Sequence, residues 1–283
     1  MNAIELHGVT KRYDGFVLDN VSFALPRGAI LGLVGENGAG KSTTIKLIMD
    51  AIRRDAGEIR VLGEDNQSPA FRAVKEDIGV VLDEAYFPEV LNATQVGAVM
   101  KQTYRRWDDA AYINHLKLLD IPLKKAFRDF SRGMKMKLAI AVALSHNPKL
   151  LILDEATSGL DPMVRDEILT LFNDFTRDEE HSILLSSHIV SDLEKVCDYI
   201  AFLHKGKLVL CEEKDRLLEQ YAIVKMPQSA LDQLPADSIV STKSGPYGVE
   251  ALVKRERLPH GTQTEFTTLE NVILFLARGG DRA

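Results

Sequence analysis

The sequence predicts an α/β fold: a parallel sheet core interrupted by a helical lobe, opened by antiparallel strands and closed by a small α+β appendage. Three observations predict it. Apolar runs recur at 29–34, 150–153 and 182–186, and a strand buried on both faces of a parallel sheet reads as such a run. Between about 84 and 147 the pattern turns helical, with breaks at Pro88, Pro122 and Gly133. After about 215, Pro227, Pro235, Gly245, Pro246, Gly248, Pro259 and Gly261 cut the chain into short segments.

The elements follow in order. Residues 4–9 and 17–25 alternate apolar and polar, the period of half-buried antiparallel strands. The run at 29–34 is a buried strand, and a helix carrying Ile45, Leu47, Ile48 and Met49 starts near Lys41 and ends before Gly57. Strands are expected at 58–62 and 78–82, then helices at 94–104, 108–119 and 134–145. Strands return at 150–154, 182–186 and 199–203 with helices between them, and the appendage ends in a helix over 268–277. The expected division is a main α/β domain over 1–215, its helical lobe at about 84–147, and an appendage over 216–283.

With 283 residues, 45% hydrophobic and 27% charged, the chain can bury a substantial core. Its net charge of −6 disfavours nucleic acid as the main partner, because phosphate contacts need a basic surface. Cys197 and Cys211 show no metal-ligand spacing and read as thiols of a reducing compartment. Residues 1–5 lead straight into structured sequence, so no leader peptide is expected. No apolar stretch reaches the roughly 18–20 residues of a membrane helix. If the protein works at a membrane, another chain does the spanning.

Residues 35–43 read Gly-Glu-Asn-Gly-Ala-Gly-Lys-Ser-Thr, between an apolar strand and a helix. This is the phosphate-binding loop in its proper setting. Gly35, Glu36, Asn37, Gly38, Ala39 and Gly40 form a tight turn whose amides point inward, and the helix start adds free amides and a positive dipole end. Lys41 can reach the outer phosphates, the Ser42 hydroxyl can hold Mg²⁺, and Thr43 completes the motif. The run 150–155 ends in two carboxylates: Asp154 stands where Mg²⁺ is held, and Glu155 is placed to take a proton from the attacking water.

A wider set of motifs then falls into order. Phe130-Ser131-Arg132-Gly133-Met134, a helix, the run from Leu151 to Pro162, and Ser187-His188 together resemble the ATPase subunit of ABC transporters, over residues 1 to about 212. Subunits of bacterial ABC exporters without a fused membrane segment look most similar. The resemblance implies a P-loop NTPase fold with a RecA-like core, an antiparallel β subdomain and a helical lobe. It implies ATP and Mg²⁺ as cofactors, Tyr13 stacked on adenine, Glu155 as general base, His188 on the γ-phosphate, and Ser158-Gly159-Leu160-Asp161 as a loop crossing to a partner. Ser131 and Gly133 would grip the nucleotide held by a second copy of the chain, head to tail. The further partner implied is an integral membrane permease subunit, which places the chain in the cytoplasm on the inner face of the membrane.

The pattern is broken in two places. The signature normally carries a second glycine and a glutamine where this chain has Arg132 and Met134. A glutamine that reaches Mg²⁺ is replaced by Asp83 or Glu84, and Asp83 is the candidate metal ligand. Tyr86, Phe87, Val90 and Leu91, with Tyr104 to Trp107, form either lobe core or a groove for a permease helix. The alternative function is a soluble ABC-type ATPase of macromolecular remodelling or cluster assembly. A non-hydrolysing sensor is disfavoured, because Lys41, Asp154, Glu155 and His188 are all present.

Overall fold

The computed structural model describes residues 1–83, 86–245 and 248–279. In chain order it begins with β1 (Asn2–Tyr13), β2 (Phe16–Pro26), β3 (Ile30–Val34), α1 (Lys41–Ile48), β4 (Ala56–Val61), β5 (Glu64–Asp65), α2 (Phe71–Val74) and β6 (Ile78–Val81). The helical lobe follows as α3 (Ala93–Thr103), α4 (Asp109–Leu118) and α5 (Arg132–Leu144). The core resumes with β7 (Leu150–Asp154), α6 (Pro162–Phe175), β8 (Ser182–Ser187), α7 (Val190–Val196), β9 (Tyr199–His204) and β10 (Lys207–Glu213). The end of the chain holds α8 (Lys214–Gln220), β11 (Tyr221–Met226), α9 (Gln228–Leu231), β12 (Ile239–Gly245), β13 (Gly248–Lys254) and α10 (Leu269–Gly279).

The central sheet runs β10-β9-β3-β8-β7-β6. Its strands are parallel except β10, which pairs antiparallel to β9 at one edge. β3, β7 and β8 are buried at every position, which is why they read as apolar runs. β10 is not singled out by pattern: alternate residues face solvent and its apolar stretch is short. A four-stranded antiparallel sheet, β2-β1-β4-β5, packs Leu6, Val21, Leu25 and Ile59 against α1 and the central strands.

The helical lobe has its own core of Val96, Tyr112, Leu116, Phe127, Phe130 and Leu138. α3 starts in a reciprocal cap, with Asn92 accepting from the Gln95 amide and the Gln95 side chain accepting from the Asn92 amide. The appendage is α+β as expected, with the antiparallel sheet β11-β13-β12. It carries a small core of Ala222, Val224, Leu231, Ala251 and Val253. Leu217, Ile223, Leu252, Leu269, Val272 and Phe275 join the main core instead, so the appendage is welded to the sheet domain by apolar contact.

This topology positions the site. β3, β8, β7 and β6 are neighbours, and the phosphate loop, His188, Asp154-Glu155 and Asp83 all follow their carboxyl ends. The crevice at the carboxyl ends of parallel strands is where such sheets bind ligands.

Candidate nucleotide site

The loop from Gly35 to Gly40 joins β3 to α1. Gly40 sits at φ 113°, and a side chain there would press to 2.8 Å from Leu18 of β2. The turn therefore accepts only glycine at that point. Gly40 is also the N-cap of α1 and offers no side-chain acceptor, which leaves the first amides of the helix to an anion. Glu36, Asn37 and Gly38 face solvent, Ser42 is exposed on the first turn and Thr43 is half-buried.

Lys41 is buried, with 6% of its side chain exposed, and its ammonium donates to the Gly35 carbonyl at 2.7 Å and the Glu36 carbonyl at 3.3 Å. It lies 3.4 Å from Glu155 Oε1. The other oxygen of Glu155 is 2.7 Å from His188 Nδ1. One carboxylate thus bridges a lysine from the phosphate loop and a histidine from the end of β8. Burying a charge is tolerated only with such partners. Glu155 holds a left-handed backbone, φ 53°, anchored by its amide on the Ser186 carbonyl at 3.0 Å. A non-glycine residue in that region marks a position where conformation serves a site.

Asp154 ends β7 and is 5% exposed, yet its Oδ1 has no hydrogen-bond partner among the described residues. The hydroxyls of Thr157 and Ser186 are in the same condition. Buried polar atoms without partners are uncommon and point to a group that fills them. A carboxylate oxygen and nearby hydroxyls suit a hard cation such as Mg²⁺, which takes few protein ligands and keeps water and phosphate oxygens as the rest. Thr157 and Ser186 were not legible beforehand, because buried hydroxyls carry no pattern.

Tyr13 ends β1 as a 45% exposed residue, and Lys11 Nζ lies 5.6 Å from the ring centroid. An aromatic face open to solvent is able to stack on a base.

Ser131 and Gly133 lie elsewhere. Ser131 caps α5, its hydroxyl accepting from the Met134 amide at 3.2 Å. With Arg132, Gly159 and Asp161 they line an open cavity of about 710 Å³ that has no phosphate-loop residue in its wall. The single chain therefore does not join the signature to its own phosphate loop. Asp161 is turned to a local task, its carboxylate accepting from the Met163 and Val164 amides at 3.1 Å to cap α6. Asp83 accepts from Arg132, Nη2 to Oδ1 3.1 Å, and lines a second cavity of about 410 Å³ with Tyr86, Phe87, Phe127 and Lys135. Glu84, the alternative to Asp83, lies outside the described residues. Phe87 and Phe127 meet edge to face at 5.5 Å, so the aromatics serve both as lobe core and as cavity wall.

Sequence reasoning did not foresee the reach of the appendage. Glu270, Ile273, Leu274 and Ala277 of α10 close a cavity of about 320 Å³ whose opposite wall is Gly35, Glu36, Asn37 and His188. The helix was legible; its docking beside the phosphate loop depends on long-range packing that no local pattern encodes.

Comparison with known proteins agrees with this geometry. The ABC transporter family model matches residues 18–158. An uncharacterised ABC transporter ATP-binding protein of Bacillus subtilis, YhcH, is 31% identical over 90% of this chain and 85% of its own. The lantibiotic transport ATP-binding protein SrtF of Streptococcus pyogenes is 34% identical over 70% of this chain and 85% of its own. The solved structure of an ATP-binding subunit of an ABC transporter superposes with TM-score 0.68 at 28% identity, covering 77% of this chain and 92% of that one. A dimeric ATP-binding cassette with ADP and phosphate, described as a post-hydrolysis state, shares the fold at TM-score 0.67 and 21% identity, over 74% of this chain and 98% of that one. The chain belongs to the ATP-binding proteins of ABC transporters, a family of ATPases.

Proposed function

We propose that this chain hydrolyses ATP as one of two identical jaws that drive a separate transmembrane permease, and that the system exports its cargo. The observation that carries the reading is the split of the site. Lys41, Glu155 and His188 form one cluster beside the phosphate loop, while Ser131 and Gly133 line a different cavity. A second copy, docked head to tail, supplies the missing signature.

In this reading the amides of 35–43 and the Lys41 ammonium bind the phosphates, and Tyr13 takes the base. Ser42 and Asp154 are the residues that would hold Mg²⁺, which would supply charge neutralisation to the phosphates. Glu155 lets go of Lys41 as the lysine turns to phosphate. Its carboxylate then accepts a proton from the attacking water while His188, still hydrogen-bonded to it, fixes its direction. Ser131 and the Gly133 amide complete the phosphate contacts from the other copy, with the α5 dipole behind them. Asp83, read from sequence as a further Mg²⁺ ligand, is engaged by Arg132.

No helix among the described residues is long and apolar enough to cross a membrane, so the permease is a separate chain in this reading. The cavity beside Tyr86, Phe87 and Phe127 is its docking groove. Export is supported by the likeness to SrtF, named for lantibiotic transport. The test is Glu155→Gln: with ATP and Mg²⁺ it should migrate as a stable dimer, lose turnover by about 10²–10⁴-fold, and retain an integral membrane protein through detergent purification. A Glu155→Gln chain that stays monomeric at saturating ATP rules the jaws out.

A further inference from the structure

Arg132 stands where the resemblance calls for a glycine, and it is bonded to Asp83, one of the two acids that stand near the place of the usual glutamine. Arg132 is the first residue of α5, between the capping Ser131 and Gly133. Its guanidinium donates to Asp83 at 3.1 Å, and both side chains are more than half exposed, at 55% and 56%. An ion pair that open to water is weak and yields readily to a better anion.

The guanidinium stands on a boundary. It lines the 410 Å³ cavity that contains Asp83, Phe87 and Phe127, and also the 710 Å³ cavity that contains Ser131, Gly133 and Gly159. Its plane lies on the Gly159 backbone: a side chain at 159 would meet its atoms at 3.1–3.2 Å, and Gly159 holds φ 68°. Small side-chain rotations therefore move one cation between two cavities without moving the helix. In the larger cavity a phosphate would meet a forked donor beside the Ser131 hydroxyl and the α5 amides. A guanidinium grips phosphate oxygens bidentately and more strongly than one exposed carboxylate oxygen.

We propose that Arg132 is a phosphate-positioning residue that exchanges partners, resting on Asp83 in the single chain and turning on closure to the terminal phosphate of ATP held by a second copy. This rests on the two-jaw reading above. It goes further by giving the exchange an output. When Arg132 leaves, the Asp83 carboxylate is uncovered beside Glu89 in the groove assigned to the permease. ATP on one subunit is thereby reported as added negative charge in the docking groove of the other.

The experiment measures the ATP concentration for half-maximal dimerisation by light scattering, in a Glu155→Gln background, at low and moderate salt. Arg132→Gln should raise it about tenfold and flatten its salt dependence, and Arg132→Lys should recover part of the loss. Asp83→Asn should lower it about threefold, by removing the competing anion. The combination of Asp83→Asn with Arg132→Gln should match Arg132→Gln alone, since Asp83 acts only through Arg132. Glu155→Gln that dimerises while all these variants behave alike overturns the exchange and leaves the jaws standing. Asp83→Asn that dimerises less readily and needs more Mg²⁺ overturns it too, and places Asp83 on the metal. Glu155→Gln that never dimerises overturns both readings together.

Discussion

The phosphate-loop half and the signature half of this molecule are built by opposite means. The first is set by strands: β3, β7 and β8 are buried throughout, and their ends fix Lys41, Asp154, Glu155 and His188 by backbone pairing. The second is set by a single cap and one exposed ion pair at the tip of a helical lobe. The phosphate loop and the ends of β7 and β8 carry the residue types that the resemblance calls for, whereas the start of α5 carries Arg132 and Met134 and the end of β6 carries Asp83. A packed sheet transmits any change in a site residue to its neighbours. A helix tip with an exposed first turn absorbs substitutions, so it is where variation, and with it regulation, can collect.

Lys41→Ala gives that contrast its largest test. It removes the charge-assisted contacts to phosphate, worth about 3 kcal/mol, and should weaken ATP binding to the single chain roughly a hundredfold. Isothermal titration of the single chain reads it directly. Ser131→Ala should leave that titration unchanged, because Ser131 is absent from the phosphate-loop half. It should instead weaken ATP-driven dimerisation and cost about 1 kcal/mol of stability through the lost α5 cap. Equal effects of both variants on single-chain binding would erase the division between halves.

The same contrast explains what the sequence could tell. The strand-built half was readable almost to the residue, because buried parallel strands leave apolar runs and the phosphate loop has a fixed spacing. The antiparallel strands extended further than expected, β1 to Tyr13 and β2 to Pro26, because hydrogen bonding continues past the last buried residue. In the lobe, the helices over 94–104, 108–119 and 134–145 emerged within about two residues, but α5 begins at Arg132 rather than Met134. Gly133 reads as a break in the sequence, yet it lies inside the first turn, where a Ser131 cap outweighs one glycine. The pairing of Arg132 with Asp83 spans 49 positions, and no periodicity reports a contact at that range. The docking of α10 beside Gly35–Asn37 was hidden for the same reason.

The smallest expected effect concerns acid sensitivity of the lobe. His146 follows α5 and is fully buried, stacked on Tyr104 at 4.0 Å, with Nδ1 3.1 Å from the Glu76 carbonyl. That bond makes Nδ1 the donor and leaves Nε2 as a buried acceptor without a partner among the described residues. Protonation would place an N–H there with nothing to receive it. Burial therefore holds the His146 pKa below its ordinary 6.5, with Arg106 pushing the same way and Glu76 and Asp77 opposing. The folded state prefers the neutral ring while the unfolded chain takes a proton near 6.5. His146 thus contributes its full stability above that pH and loses it as pH falls below 6.5 towards the folded value. The loss is bounded by about 1.4 kcal/mol per pH unit for one proton. His115, whose pKa burial also lowers, sits in the same lobe and adds to the trend. His146→Gln keeps a donor for Glu76 but cannot titrate. Its melting temperature should be lower than that of the parent at pH 7.5, and the difference should shrink by pH 5.5. Parallel melting curves across that range would remove His146 as the source of acid sensitivity.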